Sequence, residues 1–190
     1  MTTSQDKKLI AKNYIQVIGG KNPEYSRFFN EDESYSVDLL FLINSPCLRV
    51  TTVASIGVSN IPLLLSSGEE YPVRAEIVSC FNEEYDLFPN AVATTAFFVM
   101  KDRWLCAPGI VFPNIVSTYY PDIPMKHIYF TSPFFWNGEL DTLKTETKTV
   151  AFLLAIPISE EERRFRIRHG SDRVNASNLV SHYTEKYLHP

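Results

Sequence analysis

Four histidines, three cysteines and several runs of carboxylates are the residues of this 190-residue sequence whose types could do chemistry. His127, His169, His182 and His189 are spaced so that no two stand at i,i+4, which removes the helical pair a zinc hydrolase uses. Cys106, His127 and Asp122 carry donor atoms suited to zinc, but their spacing matches no recognised ligand pattern. There is no G-x-x-x-x-G-K-[ST], no G-x-G-x-x-G and no G-x-S-x-G. With seven glycines, the backbone has few places to wrap a phosphate. The reading is a protein without catalytic residues, metal site or cofactor. Cys47, Cys80 and Cys106 are widely spaced, odd in number and set among apolar residues. They read as buried, reduced thiols in a reducing cytosol, with disulfides or thiolate ligands the lesser reading.

The acidic runs are Glu31-Asp32-Glu33, Glu69-Glu70, Glu83-Glu84 with Asp86, and Glu160-Glu161-Glu162. Each reads first as a solvated loop or helix start. The first three fall between strands, where recognition residues sit on a rigid scaffold. Together they would make an acidic face that steers a basic partner, so Glu69, Glu70, Glu83, Glu84 and Asp86 are partner-binding candidates. Phe134-Phe135-Trp136 cannot all point inward from one strand. Core packing is the favoured reading there, and an exposed Trp136 acting as an interface anchor is the alternative. Arg103-Trp104, near a helix end, is a candidate cation–π contact.

The elements that must position these residues are legible from periodicity. Ile10, Tyr14, Val17 and Ile18 form the stripe of an amphipathic helix that Gly19-Gly20 ends. Val37–Ile43 and Leu48–Ile56 alternate as strands, and the short Asn44–Cys47 turn makes them an antiparallel hairpin. Val73–Cys80 is a third strand, Asn90–Leu105 a largely buried helix, and His127–Thr131 a short strand after a proline-rich loop. Thr149–Ile156 is another strand. Ser159 and Glu162 form a capping box that starts a helix closed by Gly170, with Glu160–Arg164 and Glu162–Arg166 as i,i+4 pairs. A last helix is read near Ala176–Tyr187. Five strands and about four helices indicate α+β, with a mixed, mainly antiparallel sheet in a single domain over residues 1–190. Charged residues number 18 basic and 22 acidic, a net charge of −4, which argues against direct nucleic-acid binding. No signal-peptide core follows the amino-terminal lysines, and Val150–Ile158 is too short to span a bilayer, so a cytoplasmic, membrane-free protein is expected.

The order of the segments resembles the suppressor-of-fused-like family. Thr52-Val53-Ala54-Ser55-Ile56-Gly57-Val58-Ser59 is similar to its strand-to-Gly-x-Ser segment, and Arg74-Ala75-Glu76-Ile77-Val78 to its R-x-E-hydrophobic strand. Pro108–Pro113 resembles its hydrophobic-Gly-x-x-x-Pro segment. Leu153–Glu162, running on to His169-Gly170-Ser171, resembles its strand, hydrophobic-Pro-hydrophobic exit and capped acidic helix. The likeness spans roughly Val37–Val174, and order and spacing carry it more than any single motif. A short chain of this kind looks like the bacterial branch, which resembles immunity proteins of polymorphic toxin systems, including antitoxins paired with LXG-type toxins bearing nuclease tips. The resemblance implies a cytosolic antitoxin that binds and blocks a cognate toxin protein, and it offers no catalytic or contact residues to carry over. The alternative is a non-catalytic regulatory module that takes an extended peptide by strand addition.

Overall fold

A computed structural model describes residues 3–65, 67–136 and 138–169. Gly170 and the helix expected near residues 176–187 lie outside the described residues. The elements are α1 (Thr3–Ile18), β1 (Lys21–Phe29), β2 (Ser36–Ile43), β3 (Val50–Ile56), β4 (Arg74–Asn82), α2 (Phe88–Met100), β5 (Val111–Phe112), β6 (Met125–Thr131), β7 (Leu143–Lys144), β8 (Thr149–Ser159) and α3 (Glu160–His169). They build an eight-stranded sheet in the order β1-β2-β3-β4-β8-β6-β5, with β7 beside β8. All pairings are antiparallel except β4 with β8. That parallel pair forces the long crossover containing α2, because parallel neighbours cannot be joined by a tight turn.

The central strands are apolar on both faces because both faces are covered. On one side α2 lays Ala91, Val92, Ala96 and Val99 over Val37, Leu39, Val53, Ile77, Leu153 and Ile128. On the other, Ile10, Tyr14 and Ile18 of α1 pack over Leu40, Leu42, Ala54, Val78 and Leu154. Tyr14 meets Phe152 edge to face, with ring centroids 4.9 Å apart. Pro157 lies in β8 beyond its pairing with β4, where only β6 flanks it, so the missing N–H interrupts no ladder on the open side.

The structure departs from the sequence-based expectations at several points. The strand expected from Leu48 starts at Val50, and Leu48 stands in the turn, 76% exposed. The helix expected over Asn90–Leu105 starts at Phe88 and stops at Met100. Arg103 takes a left-handed conformation, φ 61°, and the Trp104 N–H bonds back to the Phe98 carbonyl at 3.1 Å. The apolar residues after Met100 therefore reach the core from a loop: the Trp104 ring stacks on Phe98 at 4.4 Å instead of serving as a cation–π partner of Arg103. β1 was not anticipated, since Asn22-Pro23 reads only as a helix breaker, and β5 and β7 are too short to show alternation. Ser159 ends β8 and caps α3 at once. Its hydroxyl accepts from the Glu162 N–H at 3.2 Å, while the Glu162 carboxylate accepts from the Ser159 N–H at 2.7 Å. Glu160 pairs with Arg164 as expected, and also with Arg163. No helix among the described residues is long and apolar enough to cross a membrane.

Candidate protein interface

At Ala54↔Val78 the ladder between β3 and β4 ends, and side chains take over its work. The Ser55 hydroxyl accepts the Ile77 N–H at 2.8 Å and donates to Glu76 Oε2 at 2.6 Å. Glu76 Oε1 then accepts from the Gly57 N–H at 2.9 Å, the Ser59 N–H at 3.1 Å and the Ser59 hydroxyl at 2.7 Å. Glu76 is wholly buried. Burial pushes its carboxyl above the ordinary range, and the bonds donated by Ser55, Ser59 and Gly57 pull the other way. Gly57 is needed here for its backbone: its φ is 122°, a conformation that side chains rarely adopt. From outside, Lys148 Nζ donates to the Ser59 carbonyl at 3.1 Å and Asn60 Oδ1 at 2.8 Å, and Arg74 reaches the Asn60 carbonyl at 3.3 Å. The Gly-x-Ser and R-x-E segments are thus two halves of one buried clamp, which holds a turn rigid and presents no accessible reacting group.

Cys106, His127 and Asp122, whose donor atoms would suit zinc, are not gathered. Asp122 is exposed, Cys106 is buried in the α2 face of the core, and among the described residues no three His, Cys, Asp or Glu side chains converge as a metal site. His127 is committed elsewhere. Its Nδ1 accepts the Asn114 N–H at 2.9 Å, which leaves Nε2–H to donate to Glu160 at 2.8 Å. Cys80 and Cys106 are buried as expected, whereas Cys47 is exposed in the turn before β3.

The acidic candidates do not form one face. Glu69 and Glu70 precede β4, and Glu83, Glu84 and Asp86 follow it. Its nine residues hold the two groups about 25–30 Å apart. Glu70 is already paired with Arg74 at 2.6 Å. Glu31-Asp32-Glu33 sits at the same end as Glu69, in the turn before β2. There the hydrogen bonds from Ser34 to Asp32 bring its carboxyl down to about 2. Trp136 is 6% exposed and packs in the α1 face of the core, so it is no accessible anchor in the free chain. Phe134–Trp136 is a 3-10 turn and not a strand, so its side chains fan apart: Trp136 is buried, while Phe134 and Phe135 are half-buried against the same cluster.

The loop end of the sheet, where β4 runs out, is different. Phe81, Tyr85, Phe88, Tyr120, Ile123 and Met125 line an open apolar pit of about 30 Å³. The Leu87 N–H donates to the Tyr120 hydroxyl at 2.7 Å, and the Tyr85 and Tyr120 rings meet edge to face at 5.6 Å. These contacts lock the loop after β4 to the one before β6. Glu83, Glu84, Asp86 and Asp122 neighbour the lining residues in the chain and are exposed. The ion pairs of the described residues engage Asp6, Asp32, Asp38, Glu70 and Glu160, and none of these four. The pit, and the place of Asp122 beside it, were not legible in the sequence, since a loop before β6 and a loop after β4 meet only through the tertiary fold.

Comparison with known proteins places this geometry. The family model described as suppressor of fused protein (SUFU) matches residues 36–182. A Bacillus subtilis (strain 168) protein named immunity protein YqcF is 33% identical over 172 residues, 90% of this chain and 88% of that one. Among solved structures, a putative suppressor-of-fused homolog from Neisseria gonorrhoeae FA 1090 superposes with a TM-score of 0.64 at 16% identity, covering 96% of this chain and 90% of that chain. The Sufu–Fu complex gives 0.60 at 10% identity, covering 90% of this chain and 80% of that chain.

Proposed function

Because the chain belongs to the suppressor-of-fused family, we propose that it is an immunity protein, which binds a cognate toxin in the cytoplasm and blocks it. The observation that carries this reading is the 33% identity to the Bacillus subtilis immunity protein, sustained over 90% of the chain. Likeness at that level along nearly the whole chain supports a shared role as well as a shared fold. The toxin is of the LXG type with a nuclease tip. A nuclease is basic where it meets phosphate, and unpaired carboxylates on a stiff scaffold suit that charge. Neutralisation here is a matter of occupancy, with no catalytic step. The buried Glu76 clamp, the committed His127 and the buried thiols all fit a protein whose polar groups hold shape.

Co-expression with the product of the adjacent open reading frame tests this. The expected outcome is a neighbour that kills the host alone and is silenced by this chain through a complex that survives purification. Killing that persists, or silencing without a complex, overturns the reading.

A second reading, a regulatory module that takes an extended peptide, is favoured by β1. Among the described residues this strand pairs on one side only, and Tyr25 and Phe29 are 53% and 55% exposed along it. Partner-induced protection of β1 amides from hydrogen exchange would select it. Protection confined elsewhere would dismiss it.

A further inference from the structure

Core packing explains the lining of the pit beside β4, but not what stands around it. Exposed apolar side chains scattered singly need no explanation. Leu48 and Leu87, 76% and 43% exposed, are not scattered. Val50 pairs with Asn82, so the turn that carries Leu48 and the loop that carries Leu87 leave the sheet side by side. The pit opens between that loop and Ile123. Four exposed carboxylates, Glu83, Glu84, Asp86 and Asp122, border this apolar ground without a counter-ion among the described residues. Like charges held together on a rigid frame repel one another, and a partner that brings positive charge relieves that repulsion. An apolar centre inside a charged rim is the anatomy of a protein interface. The sign of the rim disfavours nucleic acid and anionic membrane alike.

We propose that this loop end is the partner-binding surface, and that it receives a basic protein surface through one aliphatic side chain seated in the pit. Lysines or arginines around that side chain face Glu83, Glu84, Asp86 and Asp122, while Leu48 and Leu87 exclude water from the contact. The opposite end, with Glu69 and with Glu70 already paired to Arg74, has no part in it. Identifying the partner as a toxin rests on the immunity reading above; the chemistry of the surface does not.

The test compares two triple variants, each made only at exposed positions, so that folding is preserved. E83K, E84K and D86K together reverse the loop end, and E31K, E33K and E69K together reverse the other. Association with the co-expressed toxin at low salt is expected to slow about tenfold or more for the first, with a weaker salt dependence, and to stay unchanged for the second. Leu48→Ser with Leu87→Ser is expected to speed dissociation about tenfold. If the wild-type complex forms and the loop-end variants bind like wild type, the surface is wrong and the immunity reading stands. If the wild-type chain captures no toxin, the immunity reading falls, and the surface is judged by methyl NMR with the tripeptides Lys-Leu-Lys and Glu-Leu-Glu. Shifts at Val116, Ile123 and Met125 from the first alone support it, and equal or absent shifts overturn it.

Discussion

Glu76 accepts bonds from two backbone N–H groups and two hydroxyls while wholly buried, so the cost of losing it is set by what it leaves behind. Glu76→Leu strands the Gly57 and Ser59 N–H groups, and each unsatisfied buried donor costs about 1–3 kcal/mol. Glu76→Gln keeps an acceptor and is expected to cost less. Urea unfolding of the pair reads the difference, and a leucine variant as stable as wild type would refute the clamp. His127 sets a pH dependence. Burial holds its pKa below the ordinary value, against the opposing pull of Glu160, and protonating Nδ1 would break its bond from Asn114. The unfolded chain therefore takes up the proton first, and stability is expected to fall as pH drops through and below about 6.5. His127→Gln is expected to flatten that slope. A slope unchanged in the variant assigns it elsewhere. Thiol labelling gives a third check. Burial raises Cys106 and takes Cys80 to about 12, while Cys47 is exposed. One thiol of three is expected to react in the native protein and the others only on unfolding.

Elements are joined by side chains that serve two neighbours at once. Ser159 ends a strand and caps a helix, so Ser159→Ala is expected to remove about 1 kcal/mol and to speed amide exchange in the first turn of α3. Unchanged exchange there would show that Glu160, with its partners Arg163 and Arg164, holds the helix start alone. Asp6 of α1 accepts from Thr147 at 2.5 Å and lies 3.7 Å from Lys148, which itself grips the Ser59–Asn60 turn. The helix over one face is thereby tied to the clamp between β3 and β4. Lys7, 2.9 Å from Asp38, adds a second tie, and Asp38 also holds Arg27 of β1 at 2.6 Å.

Over the whole molecule, charge is arranged by end. The net charge is only −4, yet Glu83, Glu84, Asp86 and Asp122, without an ion pair among the described residues, gather where β4 runs out; at the other end Glu70 and Asp32 are paired with Arg74 and Lys101, while Glu31, Glu33 and Glu69 are not. Association with a basic partner is therefore expected to slow as salt rises while dissociation changes little, because screening acts on the approach. Stopped-flow mixing across a salt series checks this, and a flat association rate would remove long-range steering from the account.

What the sequence by itself determined were the features written in local periodicity: the amphipathic α1 with its glycine stop, the β2–β3 hairpin, β4, β8 and the capping box of α3. Neighbouring residues decide those, and the order of the same segments carried the family resemblance. The tertiary structure alone decided the rest. β1 is a polar edge strand, held by pairing to β2 and not by its own pattern. α2 stops at Met100, where Arg103 turns left-handed, the Trp104 N–H bonds back to the Phe98 carbonyl and the two rings stack, a closure invisible to periodicity. Trp136 is buried by a turn that periodicity does not announce. Most of all, five carboxylates read as one acidic face belong to opposite ends of β4. Their mutual distance is fixed by the length of a strand and the path of the sheet, which no local pattern encodes.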